Sequence, residues 1–336
     1  MIFAIDAMGG DNAPEAPVLG ALAAFERLGK DVTIRLYGDE KAISDILSGK
    51  EYPADRLTIV PTTGVIGCDE SPTAAIRQKK DSSLVRAIRA VADGEADCVI
   101  SAGNSGALLA GGTLIIKRIP GVKRPALAPV LPTVTGGKVV LCDSGANADC
   151  KPEYLVQFAM MGAAYMKGMY DVDDPRVGLL NNGAEEEKGS ELTKAAYQLL
   201  KTAPVNFAGN CEARDALGGD FDVVACDGFS GNILLKGVEG TAGMMMKLLK
   251  QSMMSSLRCK IGALLCKPAF RTLKHSLDYT SVGGAPLLGV NGGVIKAHGS
   301  SDAKAMMNAI YQAERLTRAD ITGMIRNAMA ELATED

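Results

Sequence analysis

Residues 97–106 read DCVISAGNSG: a short apolar run, a turn of Gly, Asn and Ser, and the start of a stretch with helical character. This unit recurs along the chain. Short β-rich runs lie at 2–6, 32–37, 57–60, 98–101, 139–142, 177–180, 205–207 and 223–226, and helix-like stretches at 15–29, 73–93, 105–117, 152–167, 188–201, 230–256 and 302–333. Near-continuous apolar strands alternating with helices imply a mostly parallel sheet covered on both faces, because such strands are buried on each side. The expectation is an α/β fold. Residues 125–132 (PALAPVLP) interrupt the alternation with three prolines in eight positions. Proline lacks an amide donor, so this segment reads as an edge strand or as a connection between two lobes.

The 336 residues suffice for one large domain or two modest ones, and 47% hydrophobic with 22% charged residues is ordinary for a globular enzyme. We expect a single domain over 1–333, with two lobes as the open alternative. A net charge of −3 argues against general nucleic-acid binding, whose footprint is basic. No signal peptide opens the chain and no apolar run is long enough to span a bilayer, so a cytoplasmic protein is expected. Of the eight cysteines, Cys98, Cys142 and Cys226 lie in or at the end of apolar runs, and no C-x-x-C occurs. Reduced, structural cysteines are expected.

Chemistry in open α/β folds gathers beyond the carboxyl ends of the strands, where helix N-termini present unpaired N–H groups. Six turns with unusual content fall there: 6–12 (DAMGGDN), 101–106 (SAGNSG), 143–147 (DSGAN), 181–189 (NNGAEEEKG), 227–232 (DGFSGN) and 297–301 (AHGSS). Glycine admits an anion close to the backbone, and Ser and Asn can donate to it, although such turns also favour these residues for geometry alone. None matches the P-loop pattern, and no G-x-G-x-x-G follows a strand. G-x-S-x-G and H-E-x-x-H are absent, and the only histidines are His275 and His298. The expected site is an anion pocket that needs no metal, no cofactor and no covalent serine.

Seven strings then stand out together: 5–11 (IDAMGGD), 100–106 (ISAGNSG), 124–132 (RPALAPVLP), 153–161 (EYLVQFAMM), 176–180 (RVGLL), 226–232 (CDGFSGN) and 295–301 (IKAHGSS). In this order they resemble the motifs of the bacterial phosphate acyltransferases, the acyl-carrier-protein:phosphate acyltransferase family, over about residues 1–325. The resemblance implies a Rossmann-like three-layer α/β/α fold related to isopropylmalate dehydrogenases and phosphotransacetylases, assembled as a homodimer. It implies transfer of a fatty acyl group from acyl carrier protein to inorganic phosphate, for phosphatidic acid synthesis. The acyl phosphate would then serve a membrane glycerol-phosphate acyltransferase. By position, Lys188 would hold phosphate or the developing oxyanion, and Asn232 would donate to the thioester carbonyl. Their alternatives are an exposed helix-start lysine and a helix N-cap. Ser101, Asn104, Ser105, His298 and Ser300 are further candidates for phosphate contact. The chain departs from the family pattern at Asn182 and Ser144. Acyl transfer suits the sparse machinery: phosphate is already an anionic nucleophile, and a thiol of pKa about 8.5 leaves without a strong proton donor. Placement and oxyanion stabilisation remain for the site to supply.

Residues 240–277 contain no Asp or Glu but seven Lys or Arg, interleaved with Met and Leu. This is the composition of a basic amphipathic helix or a protruding helical hairpin, broken near Pro268. Lys260, Lys267, Arg271 and Lys274 are candidate contacts for an anionic membrane surface or for the acidic carrier protein. The plainer alternative is a core helix with solvated lysines. The resemblance favours peripheral membrane attachment here. Two other functions stay open: an NAD-dependent oxidoreductase on the related dehydrogenase fold, and a non-catalytic lipid-surface adaptor.

Overall fold

The computed structural model describes residues 1–276 and 283–334, and all their side chains except those of 274–276, 333 and 334. Twenty-four α and β elements alternate along it. The first half runs β1 (Ile2–Asp6), α1 (Glu15–Ala24), β2 (Thr33–Gly38), α2 (Glu40–Leu47), β3 (Leu57–Pro61), α3 (Pro72–Gln78), α4 (Ser83–Ala92), β4 (Cys98–Ser101) and α5 (Ser105–Gly111). A π-helical turn (Gly112–Ile116), β5 (Ala126–Leu127), β6 (Val130–Pro132), β7 (Lys138–Cys142) and α6 (Pro152–Tyr170) follow. Then come β8 (Arg176–Asn181), α7 (Glu191–Leu200), β9 (Asn206–Glu212), β10 (Val223–Ala225), α8 (Gly228–Met253), α9 (Leu257–Leu265) and α10 (Lys267–Ser276). The chain closes with β11 (Ala285–Leu288), β12 (Gly293–Lys296), α11 (Ala303–Arg318) and α12 (Ile321–Thr334).

The strands form two sheets. One has the order β3-β2-β1-β4-β12-β11-β5, the other β6-β7-β10-β8-β9. Strands β3, β2, β1, β4 and β12 are mutually parallel, as are β7, β10, β8 and β9, while β11, β5 and β6 pair antiparallel at the margins. The α/β architecture is therefore as expected, with its strands divided between two layers of sheet. The proline segment explains the division. It supplies β5 to the edge of the first sheet and, after Pro129, β6 to the edge of the second. Edges tolerate the missing amide donors.

Each sheet is covered on both faces. On the first, Val18 and Ala21 of α1 pack with Ala309 and Ile310 of α11, while Leu84, Val85 and Ile88 of α4 cover the other side. On the second, Phe158, Met161 and Met166 of α6 pack with Ile321 and Ile325 of α12. The opposite face is small, Leu131, Leu141 and Val224 under Leu234 and Leu235 of α8. Only Gly228 and Gly231 of α8 are buried, and no residue of α9 is. The outer part of α8, with α9 and α10, is thus an arm whose burial rests on few contacts with the sheets.

Two expected helices break in two and a third changes its winding, each for local reasons. The stretch 73–93 breaks between α3 and α4, where Ser82 caps α4 by accepting from the Val85 amide at 3.3 Å. The stretch 302–333 breaks at Asp320, a left-handed residue (φ 45°) whose carboxylate accepts from Gly323 N. The stretch 105–117 loosens into the π turn and stops at Lys117.

Candidate active site

Strands β4 and β12 of the first sheet and β7 and β10 of the second end beside one cavity of about 390 Å³. That volume suits a small-molecule site. Four of the six turns reach its wall: Ser105 from 101–106, Ser144 and Gly145 from 143–147, Asn232 from 227–232, and Ala297, His298, Gly299 and Ser301 from 297–301. The turn at 6–12 braces the last of these from behind, through Asp11 N to Gly299 O at 2.8 Å and Asn12 Nδ2 to the carbonyls of Ser300 and Ser301. The turn at 181–189 contributes nothing to the wall.

Two buried aspartates hold the turns in place. Asp6 closes β1 and accepts from Ser83 Oγ at 2.6 Å, Ser101 Oγ at 2.7 Å and Met8 N at 3.3 Å. Burial pushes its carboxyl pKa up, against the pull of these hydrogen bonds. Asp143 follows β7 and collects the amides of Leu127, Gly145 and Ala146 on one oxygen, and Asn147 N and Nδ2 on the other. Burial raises its pKa as well. Neither aspartate lines the cavity; each organises the turn behind it.

Two of the expected phosphate contacts are therefore engaged elsewhere. Ser101 is fully buried, donating to Asp6 while accepting from Gly103 N, so its hydroxyl is not presented to a ligand. Asn104 caps α5 by accepting from Ala107 N, and its amide donates to the carbonyls of Gly67, Cys68 and Glu70. Of that trio only Ser105 faces the cavity. Residue type and spacing could not separate them, since all three belong to one donor-rich turn.

The first turn of α8 presses directly on the Asp143 turn. A Cβ on Gly231 would stand 2.0 Å from Asp143 O and 2.7 Å from Cys226 Sγ, so only glycine allows this approach. The approach brings Asn232 to the wall. The cap of α8 is Asp227, accepting from Ser230 N at 2.9 Å, so Asn232 is not the cap. Its side-chain amide has no hydrogen-bond partner among the described residues. The departure at Ser144 has a structural role, its hydroxyl donating to Leu127 O across the junction of the two sheets.

Lys188 is placed otherwise. It lies in the turn after β8, which is separated from β7 by β10. It is exposed, its carbonyl accepts from Asn181 Nδ2 at 3.1 Å, and it is not on the cavity wall. The wall instead carries Lys236, paired with Glu239, and Lys296, the last residue of β12, both of which sequence reasoning passed over. The Lys296 ammonium donates to Ala102 O at 3.2 Å and to Ala297 O. Burial brings its pKa down to about 8, with Lys236 acting in the same direction and Cys68, Asp6 and Asp11 opposing. The available signal was a lysine ending an otherwise apolar strand just before AHGSS. His298 also lines the wall. Its Nδ1 accepts from Ser300 N at 3.2 Å and lies 2.8 Å from Ser300 Oγ, which leaves Nε2 as the protonated nitrogen of the neutral ring. Ser300 itself is off the wall and orients the imidazole.

The basic candidates lie on the arm. Lys267 and Arg271 border an apolar groove of about 600 Å³ floored by Leu249, Met253, Ala263 and Phe270. Lys260 is exposed on α9, and the side chain of Lys274 lies outside the described residues. Leu257, Leu264 and Leu265 of the arm are 70–76% exposed. Among the described residues no helix is long and apolar enough to cross a membrane.

Residues 1–324 match the family described as fatty acid synthesis protein. The phosphate acyltransferase of Lysinibacillus sphaericus is 49% identical over 332 residues, covering 99% of each chain. That of Oceanobacillus iheyensis is 50% identical over 97% of this chain and 96% of its own. The chain belongs to the phosphate acyltransferase family. It is a transferase, an acyltransferase of lipid biosynthesis. Among solved structures, a phosphotransacetylase from Streptococcus pyogenes superimposes with a TM-score of 0.60 at 17% identity, covering 96% of this chain and 94% of its own. A 4-hydroxythreonine-4-phosphate dehydrogenase from Klebsiella pneumoniae gives 0.52 at 15% identity, over 94% and 98%. These likenesses show the shared fold. Membership of a transferase family replaces both the oxidoreductase and the adaptor alternatives.

Proposed function

We propose that this phosphate acyltransferase moves a fatty acyl group from acyl carrier protein onto inorganic phosphate, releasing acyl phosphate and the free carrier. The observation that carries the reading is the intersheet cavity, where the unpartnered amide of Asn232 shares a wall with His298 and Lys296. An oxygen of the hydrogen phosphate dianion attacks the thioester carbonyl carbon. The resulting tetrahedral oxyanion accepts from Asn232 Nδ2. It collapses with cleavage of the carbon–sulfur bond, and the departing thiolate takes the proton that phosphate gives up. Charge and atoms balance with no further reactant. Apolar wall residues such as Leu109, Val130, Leu131 and Leu235 give the acyl chain a path out of water. Lys188, away from the wall, is given no step.

The arm is assigned to an anionic lipid surface, its exposed leucines entering the interface while Lys260, Lys267 and Arg271 meet phosphate headgroups. The enzyme would then act as a peripheral membrane protein, as a homodimer, delivering acyl phosphate to a membrane glycerol-phosphate acyltransferase. The test supplies acyl carrier protein loaded with a fatty acyl chain, with and without phosphate. Hydroxylamine trapping should reveal acyl phosphate in step with release of the carrier thiol. Thiol release that is independent of phosphate would sink the reading.

A further inference from the structure

We infer that Lys296 is the residue that holds inorganic phosphate in the cavity. This rests on phosphate being a substrate, and it names the contact that the proposed reaction leaves open. Two lysines reach the wall, and their surroundings differ. Lys236 is paired with Glu239 at 2.9 Å, so its charge is already met. Lys296 has no carboxylate within ion-pairing distance among the described residues; the two carbonyls that accept from it, Ala102 O and Ala297 O, are neutral. An ammonium has three donors. Two fix its direction here and one is left.

A largely desolvated cation without a counterion is costly, and an anion entering the cavity would relieve that cost. The backbone supports the same location. Helix α11 starts immediately beyond the 297–301 turn and α8 starts at Gly228, so the positive ends of two long helices flank the wall. The groups that set the Lys296 charge come from several elements. Cys68, Asp6 and Asp11 favour the ammonium, whereas burial and Lys236 oppose it, leaving the free enzyme with a lysine that titrates at about 8. His298 and Glu239 share the wall, and Glu239 is the carboxylate paired with Lys236. The sign follows directly. Below that pH Lys296 is charged and grips phosphate; as pH rises through it the charge is lost and affinity falls. Phosphate completes its own ionisation to the dianion just below that pH, so the decline is read on the alkaline side, where the dianion already predominates.

Calorimetric titration of the full chain with inorganic phosphate tests this without using the reaction. Lys296→Met should weaken phosphate binding roughly ten- to hundredfold, the loss of one charge-assisted contact. Lys188→Ala should leave it unchanged. Lys296→Arg should keep binding and lose the alkaline decline, since guanidinium stays charged. Phosphate binding by a folded Lys296→Met protein equal to wild type overturns the inference. If that variant fails to fold, the arginine variant decides, and an alkaline decline surviving in it overturns the inference too. Should phosphate bind through Lys296 while acyl phosphate never forms, the assignment stands and the proposed reaction fails.

Discussion

At the strand ends buried aspartates are fully partnered and the backbone is pinned, whereas along the arm apolar side chains stand in water. Asp143 alone collects five donors, and Asp6 three, so the turns they hold cannot shift without losing several hydrogen bonds together. The arm has the opposite character: Leu257, Leu264 and Leu265 are mostly exposed, and nothing among the described residues covers them. On the reading proposed above, the cavity serves the chemistry as folded, while the arm is completed by a lipid surface. Substitutions at the cavity should therefore change turnover or stability, and substitutions on the arm should change attachment.

The sharpest separation is expected at Asn232. Because Asp227 caps α8, removing the Asn232 amide leaves the helix start intact. Asn232→Ala should cost about 2.7–4 kcal/mol of transition-state stabilisation, a hundredfold or more in kcat, with little change in melting temperature. A fall in melting temperature with kcat preserved would move Asn232 from the chemistry to the scaffold. Gly231, one residue earlier, should behave in reverse order. The added methyl of Gly231→Ala meets Asp143 O, a backbone atom that cannot swing aside. Overpacking of this kind costs about 1–3 kcal/mol, slightly offset by alanine's better helix propensity. Thermal unfolding should register the loss first, and turnover should fall because the wall moves. An unshifted melting temperature would mean that α8 and the Asp143 turn are less tightly joined than their geometry shows.

How much of this was legible follows from what each residue faces. Strands β1 and β4 were readable to their ends because parallel strands are apolar throughout, and the proline segment was readable because its missing donors restrict it to edges. Strands β11 and β12 were missed: each is four residues long, and glycines flank them, so no run stands out. The division into two sheets depends on which edge β5 and β6 join, a tertiary choice without a local signature. Within the site, Asn232 and His298 were named in advance and lie on the wall. Ser101 was named and faces Asp6 instead, because a serine that supports a carboxylate and one that meets a ligand look alike in a string. Lys296 was hidden as the end of an apolar strand.

Asp6 offers a smaller effect with a defined sign. Burial raises its folded pKa above the unfolded value, so the native state binds the proton more readily. Its stabilising contribution is present at low pH and is lost as pH rises through the folded pKa. Asp6→Asn removes that dependence. The stability advantage of wild type over Asp6→Asn should therefore shrink as pH increases, measured by chemical denaturation across the acid and neutral range. An advantage that grows with pH would show that the hydrogen bonds from Ser83 and Ser101 outweigh desolvation.

The arm should show the most specific response. Lys267 and Arg271 border the apolar groove, and neither pairs with a carboxylate among the described residues. Neutralising both, Lys267→Gln with Arg271→Gln, should weaken partition onto vesicles containing anionic lipid roughly fivefold per charge. Raising salt should reproduce the loss in the wild type, because the attraction is screened within a Debye length. Vesicles of neutral lipid should show little difference between the two proteins, since the leucines that enter the interface are untouched. Turnover on the carrier-bound substrate in the absence of vesicles should stay at the wild-type level. That last measurement separates the occupants of the arm. If turnover falls through a higher KM for acyl carrier protein while vesicle binding persists, the basic face receives the acidic carrier, and the lipid assignment is wrong.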